Sequence, residues 1–262
     1  MCAVAQHDSQ LKRYAAHRES MKTNPEPQSV AEVSEKIRVA ATDKRMKRRR
    51  RSLALASAKI FSAVGNELHL LGHVIGSDRR LGVSPFGHGS DETVAVSVLL
   101  RIGSQLISAS SDLFTDGRNY SAAALLRQVV EVEYLAWAIE TRDRDGERWL
   151  RSDRQERESF FAPRKLRQAA QGKFRGKDYG YHCELGGHPV PTAGVLLEDD
   201  PAVVELLLSD LLGHVGRIWD HLVGWARRSS SGAPILKRSL EMSRRFSQWK
   251  DQDPLLELPP PP

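Results

Sequence analysis

The sequence contains little cysteine, few aromatic residues and no long hydrophobic run. Cys2 and Cys183 are the only cysteines in 262 residues, which excludes the disulfide framework of small secreted proteins. The first 30 residues contain no apolar segment of the kind that a signal peptide needs. No stretch of about 18 apolar residues is free of charge, so we expect a cytoplasmic protein without a membrane-spanning helix.

Several familiar signatures are also missing from the sequence. No segment alternates apolar and polar residues as a half-buried strand does, and no internal repeat is visible. The GxSxG elbow, the P-loop and the dinucleotide-binding fingerprint are absent, as are CxxC and HExxH patterns. These absences disfavour sheet-based hydrolases, nucleotide-binding enzymes of those folds and zinc proteins with standard ligand spacing.

Charge is unevenly distributed along the chain. Residues 1–51 hold 13 Lys and Arg against 6 Asp and Glu, a net charge of +7, whereas the remainder is close to neutral. Because this segment is polar and has little apolar surface to bury, we predict a basic arm over 1–51 that is largely disordered or loosely helical. The basic run at the end of this arm, residues 44–51, could bind the phosphate groups of nucleic acid. That run consists of Lys44, Arg45, Lys47, Arg48, Arg49, Arg50 and Arg51.

Residues 52–250 show the apolar periodicity of helices, and 251–262 read as a proline-rich tail. Ser90 or Asp91 is a suitable N-cap for the second helix, and Ala122–Ala124 would let a neighbouring helix approach closely. We therefore predict an all-α bundle of five or six helices. The predicted helices are 52–76, 91–114, 120–140, 147–171, 201–228 and 234–250, with an irregular segment at 172–194.

The third predicted helix carries a charged pair within an apolar run. Arg127 and Glu131 are four residues apart, so they share one helix face and can form an ion pair. Burying such a pair is costly unless its hydrogen bonds are satisfied, so it is either a structural salt bridge or the orienting part of a site.

The most unusual segment is 174–189, which combines glycines with titratable side chains. Glycine permits backbone conformations that other residues avoid, and histidine can exchange a proton near neutral pH. This segment is therefore either a functional loop or a tight connection whose polar side chains bond to the backbone. Its candidate side chains are Arg175, Tyr181, His182, Cys183 and His188.

Metal ligands are present without a metal-binding motif, so we expect no metal or cofactor. His182, Cys183 and His188 have the right chemistry. They would need a fourth partner from one of two helical pairs, His69 with His73 or His214 with His221. Cys183 could in principle be activated by the adjacent His182, although neighbours in sequence need not share a hydrogen bond.

The run Tyr120–Glu131, followed by Tyr134, Trp137, Tyr181 and the His188–Pro189 step, resembles a group of bacterial helical proteins with a HEPN-like pattern. Some HEPN-type domains are metal-independent ribonucleases of toxin or phage-defence systems. Their signature is Arg, four to six residues, then His, a spacing that Arg175 and His182 fit, although glycines interrupt this segment. The resemblance implies that Arg175 stabilises phosphate charge, that His182 or His188 acts as acid or base on the ribose, and that the site is completed in a homodimer.

Three functions are therefore open. The first is a HEPN-like ribonuclease whose catalytic candidates are Arg127, Glu131, Arg175, Tyr181, His182 and His188. The second is a non-catalytic helical interaction module that the basic arm tethers to RNA or another nucleic acid. The third is a metal-dependent hydrolase that uses the histidines.

Overall fold

The computed structural model describes residues 30–74, 90–174, 176–198 and 200–257. Within these ranges the chain is helical and contains no strand, so the predicted all-α class is confirmed. The long helices are α1 (Val30–Thr42), α2 (Lys44–Val74), α3 (Asp91–Thr115), α4 (Asn119–Thr141), α9 (Pro201–Ala226) and α10 (Ala233–Lys250). The short ones are α5 (Asp145–Arg151), α6 (Arg154–Glu156), α7 (Pro163–Ala169), α8 (Gly176–His182) and α11 (Pro254–Glu257).

The core lies between α2, α3, α4 and α9, which pack side by side. Phe61 of α2 stacks on Trp219 of α9 with ring centroids 5.6 Å apart. Burying large apolar side chains of this kind is the main favourable contribution to folding. By length and composition α3 is the one described helix that could cross a membrane, and 61% of its apolar window is buried inside the protein.

Local signals fix the beginnings of two core helices. Ser90 caps α3 by accepting a hydrogen bond from the Thr93 amide, as its sequence position predicts. Asp200 caps α9 in the same way through the Ala202 amide, and Pro201 occupies the first turn, where its missing N–H costs nothing.

Two segments differ from the prediction in their helical pattern. The polar helix expected at 147–171 is divided into α5, α6, a π turn (Arg157–Phe161) and α7, with Pro163 opening the last helix. The segment 172–194, expected to be irregular, forms α8, a π turn (Cys183–Gly187) and the start of a 3₁₀ segment (Pro191–Leu197). Apolar periodicity did not reveal these pieces because each is too short for a repeating stripe.

The described part of the basic arm, 30–51, is more ordered than predicted, because it forms α1 and the first turns of α2. Arg50 is fully buried; it donates to Asp253 at 2.7 Å and to Glu205 at 2.8 Å. The Trp249 indole donates to the same Asp253 carboxylate at 2.6 Å. This cluster holds the first turns of α2 against α9 and against the segment between α10 and α11. The folded domain therefore extends on both sides of the predicted 52–250.

This arrangement changes which basic side chains can face a nucleic acid. The Arg50 guanidinium is enclosed by protein carboxylates, so it is unsuitable as a phosphate ligand. Arg49 bonds to Gln252, and Arg51 pairs with Glu205. The exposed members of the run are Lys44, Arg45 and Arg48, with Lys47 half-buried.

Replacing Arg50 with Ala is expected to destabilise the protein by about 3–5 kcal/mol, because Glu205 and Asp253 would keep buried charges without their partner. Chemical denaturation followed by circular dichroism measures this change. Arg48→Ala, two residues away on an exposed part of α2, is the matched control and should shift stability by less than about 0.5 kcal/mol. Equal losses in the two variants would contradict a structural role for the buried cluster.

Candidate metal centre

The best-defined polar cluster lies where α4, α8 and α9 meet. Asp210 and His214 are four residues apart on α9 and therefore share one face. His182 is the last residue of α8, and Glu133 projects from α4 to the far side of His214. Three separate segments thus bring their polar groups to one place.

Gly186 allows the π turn after α8 to lie against the backbone of α4. A Cβ on Gly186 would lie 2.4 Å from the backbone nitrogen of Ala124 and 2.5 Å from the carbonyl carbon of Ala123. No side chain fits at that separation, so the π turn after His182 can rest on the α4 backbone only with glycine at this position. A neighbouring helix was predicted to approach closely at Ala122–Ala124, and the element that approaches there is this turn.

The ligand atoms of the cluster converge at short separations. The two Nε2 atoms of His182 and His214 are 3.3 Å apart. Asp210 places one oxygen 3.4 Å from His182 Nε2 and its other oxygen 3.6 Å from His214 Nε2. Two ligands bound at about 2.0–2.1 Å to one tetrahedral ion lie about 3.3–3.4 Å apart. The two imidazole nitrogens have this spacing, and one ligand atom from each of the three residues lies within 4.8 Å of the others, so the three could hold a single ion.

Glu133 determines which nitrogen of His214 can bind an ion. Its carboxylate lies 2.6 Å from His214 Nδ1 and accepts 2.8 Å from Arg217 Nε. Burial alone would raise the pKa of Glu133, but the charges and hydrogen bonds of Arg217 and His214 lower it from 4.5 to about 2. An ionised carboxylate so close to Nδ1 requires a proton there, so the Nε2 lone pair faces His182 and Asp210.

A second contact at the same nitrogen must be interpreted with this tautomer. Arg217 Nη2 lies 2.7 Å from His214 Nδ1, yet both atoms carry hydrogen once Nδ1 donates to Glu133. We therefore do not regard this contact as a hydrogen bond. It arises because Arg217 and His214 both donate to the Glu133 carboxylate. A carboxylate bonded to the outer nitrogen of a ligand histidine is a common support of metal sites, where it fixes the ring and increases its basicity.

Burial makes the cluster asymmetric. The side chains of His182 and His214 are 3% and 6% exposed, whereas that of Asp210 is 29% exposed. Solvent or a small molecule would therefore reach the site on the Asp210 side. Buried imidazoles with one open side are typical of a site that keeps a coordination position for water or substrate.

The structure brings only some of the suggested catalytic residues into contact with one another. Arg127 and Glu131 form the predicted ion pair at 2.8 Å, and both also bond to the hydroxyl of Tyr179. Tyr181, the tyrosine that the sequence suggested, instead packs against the core, with its ring in a T-shaped arrangement with that of His182.

His188 and Arg175 are not part of the described cluster. His188 is exposed, and Arg175 lies outside the described residues. Cys183 is half-buried and is not among the converging ligands.

Sequence reasoning missed most of this centre. His214 was considered as a partner of His182 only as one of two alternative pairs and together with His221, which instead contacts the carboxylate of Glu140. Asp210, four residues before His214, was the available signal for a shared helix face. The role of Glu133 could not be read from the sequence, because 81 residues separate it from His214.

No family model matches the chain, and neither a curated protein nor a solved structure matches it.

Gly186→Ala is expected to destabilise the protein by about 1–3 kcal/mol, because the added methyl group would meet the α4 backbone and force the turn outwards. Gly180→Ala is the matched control on α8, since its added Cβ would have no neighbour within 4 Å. That variant should be neutral or gain up to about 1 kcal/mol from helix propensity. Thermal denaturation of both variants tests the packing, and a stable Gly186→Ala protein would contradict it.

Proposed function

We propose that the protein binds a divalent transition metal ion, most suitably Zn²⁺, through His182, Asp210 and His214, and acts as a metal-dependent hydrolase. The observation that carries this proposal is the convergence of the two Nε2 atoms and the Asp210 carboxylate at separations of 3.3, 3.4 and 3.6 Å. Three protein ligands leave one tetrahedral position for water. A bound metal lowers the pKa of such a water to about 7 and so supplies a nucleophile at neutral pH.

The donor set supports a transition metal over Mg²⁺ or Ca²⁺. Two imidazoles with one carboxylate suit Zn²⁺, whereas the harder cations prefer oxygen ligands alone. Glu133 would keep His214 in the tautomer that ligates through Nε2, and Arg217 would keep Glu133 ionised. Each of these residues therefore has a distinct part in forming the centre.

Zinc titration of metal-free protein by calorimetry is expected to give one site per chain. His182→Ala and His214→Ala should abolish this binding, because each removes a ligand. Glu133→Gln should weaken it by about 10–100-fold, the usual effect of losing the carboxylate behind a ligand histidine. His188→Ala, an exposed histidine six residues after His182, is the control and should bind as wild type does. The proposal fails if folded wild-type protein binds no zinc, or if His188→Ala is the variant that loses it.

A metal-independent ribonuclease of the HEPN-like sort is the second candidate. It is favoured by the position of His182, which contacts the partly exposed carboxylate of Asp210 and could exchange a proton with a bound ribose. Cleavage of a mixed RNA pool with chelator present, and its loss in His182→Ala, would support this candidate over the zinc hydrolase. Cleavage that requires zinc would support the hydrolase. Folded protein that binds RNA without cleaving it would support an interaction module that uses Lys44, Arg45 and Arg48.

A further inference from the structure

Two arginines meet at one tyrosine beside the proposed metal centre. Arg127 of α4 donates from Nη1 to the Tyr179 hydroxyl at 3.0 Å. Arg167 of α7 lies over the face of the same ring, with its Cζ 4.4 Å from the ring centroid. Tyr179 is one helical turn before His182 on α8, so the phenol and the imidazole are neighbours on that helix.

Both guanidinium groups have hydrogen-bond donors without an acceptor. Arg127 uses Nη1 for Glu131 and Tyr179, while its buried Nε has no partner. Arg167 likewise has a buried Nη1 without a partner. Buried donors are rarely left unsatisfied in folded proteins, so unused N–H groups on two neighbouring arginines indicate a missing acceptor.

Arg50 shows what such an acceptor does elsewhere in this protein. Its Nε and Nη2 hold the two oxygens of Asp253, the paired arrangement in which guanidinium groups bind carboxylates and phosphates. On Arg127 the same edge contains the unpartnered Nε. The Arg127 side chain is 27% exposed, although its Nε atom is itself buried.

The local charge favours an anion at this position. Arg127 and Arg167 bring two positive charges, and Glu131 provides the one carboxylate bonded within the group. Tyr179 donates to Glu131 at 2.8 Å, and burial together with this carboxylate raises the pKa of the phenol, so it stays neutral. The cluster therefore has a net charge of about +1 before a ligand binds.

We propose that Arg127 and Arg167 bind the phosphate group of a phosphate-ester substrate of the proposed metal centre. This assignment rests on the proposed function for the reaction, but phosphate binding itself needs no metal. A carboxylate can be held by a single guanidinium, as Asp253 is by Arg50, or shared by two, as Glu205 is by Arg50 and Arg51. The tetrahedral oxygens of phosphate point in different directions and can engage two separate arginines.

Calorimetric titration of inorganic phosphate into metal-free protein tests the site. Wild type should bind phosphate, and Arg127→Gln and Arg167→Gln should each weaken this binding by about tenfold or more. Arg127→Lys, which keeps the charge without the planar fork, should also weaken it. Arg154→Gln is the control, because it removes an arginine of α6 whose side chain is 89% exposed. This variant should bind phosphate as wild type does. Thermal denaturation of each variant identifies any that fails to fold.

A dinucleotide with one phosphodiester group is the second probe. Its competition with inorganic phosphate supports an ester substrate, whereas phosphate binding without competition overturns that assignment. The subsite is also overturned if folded wild type binds no phosphate, if binding is unchanged in both glutamine variants, or if phosphate binds only to zinc-loaded protein.

Zinc titration of the same variants keeps the two proposals apart, since Arg167→Gln should leave zinc affinity unchanged. Phosphate binding by a protein that takes up no zinc would reject the metal centre alone.

Discussion

A carboxylate and an imidazole are hydrogen-bonded inside the bundle, and this bond constrains how the helices around the site pack. Glu133 on α4 and His214 on α9 are both buried, 2.6 Å apart, and a charge in that position needs partners to offset the loss of water. Arg217 supplies the compensating charge from the half-exposed edge of α9. The pair orients His214 towards His182 and Asp210, so the geometry of the proposed metal site depends on an ion-paired group outside it.

The main helices could be predicted from the sequence because each buries a long apolar stripe. The predicted bounds 91–114 and 120–140 lie within one residue of α3 and α4, where a cap or a break marks the ends. The arm could not be predicted correctly, since the apparent solvation of Arg50 is reversed by two acids 155 and 203 residues away. Local composition contains no information about partners at such distances, and a basic run therefore resembles a disordered tail.

The site was predicted only in part, for a related reason. His182 was identified by its unusual surroundings in the sequence, and the Arg127–Glu131 pair by its spacing. Helical periodicity tells which residues share a face, but it does not tell which faces meet. The contact of His182 with Asp210 was therefore not foreseen, and His214 was only one of two alternative partners for His182. The same limitation led to the choice of Tyr181 over Tyr179, whose hydroxyl bonds to both Arg127 and Glu131.

X-ray absorption at the zinc edge, on protein loaded with one equivalent of Zn²⁺, identifies the atoms that bind the ion. We expect two imidazole nitrogens at about 2.0–2.1 Å, oxygen ligands from Asp210 and water at about 2.0–2.2 Å, and no sulfur. The imidazole signal should be lost in His214→Ala. A zinc–sulfur distance of about 2.3 Å would instead place the ion on Cys183 and contradict the account. An all-oxygen shell like that of hydrated zinc would show that the buried histidines do not hold the metal.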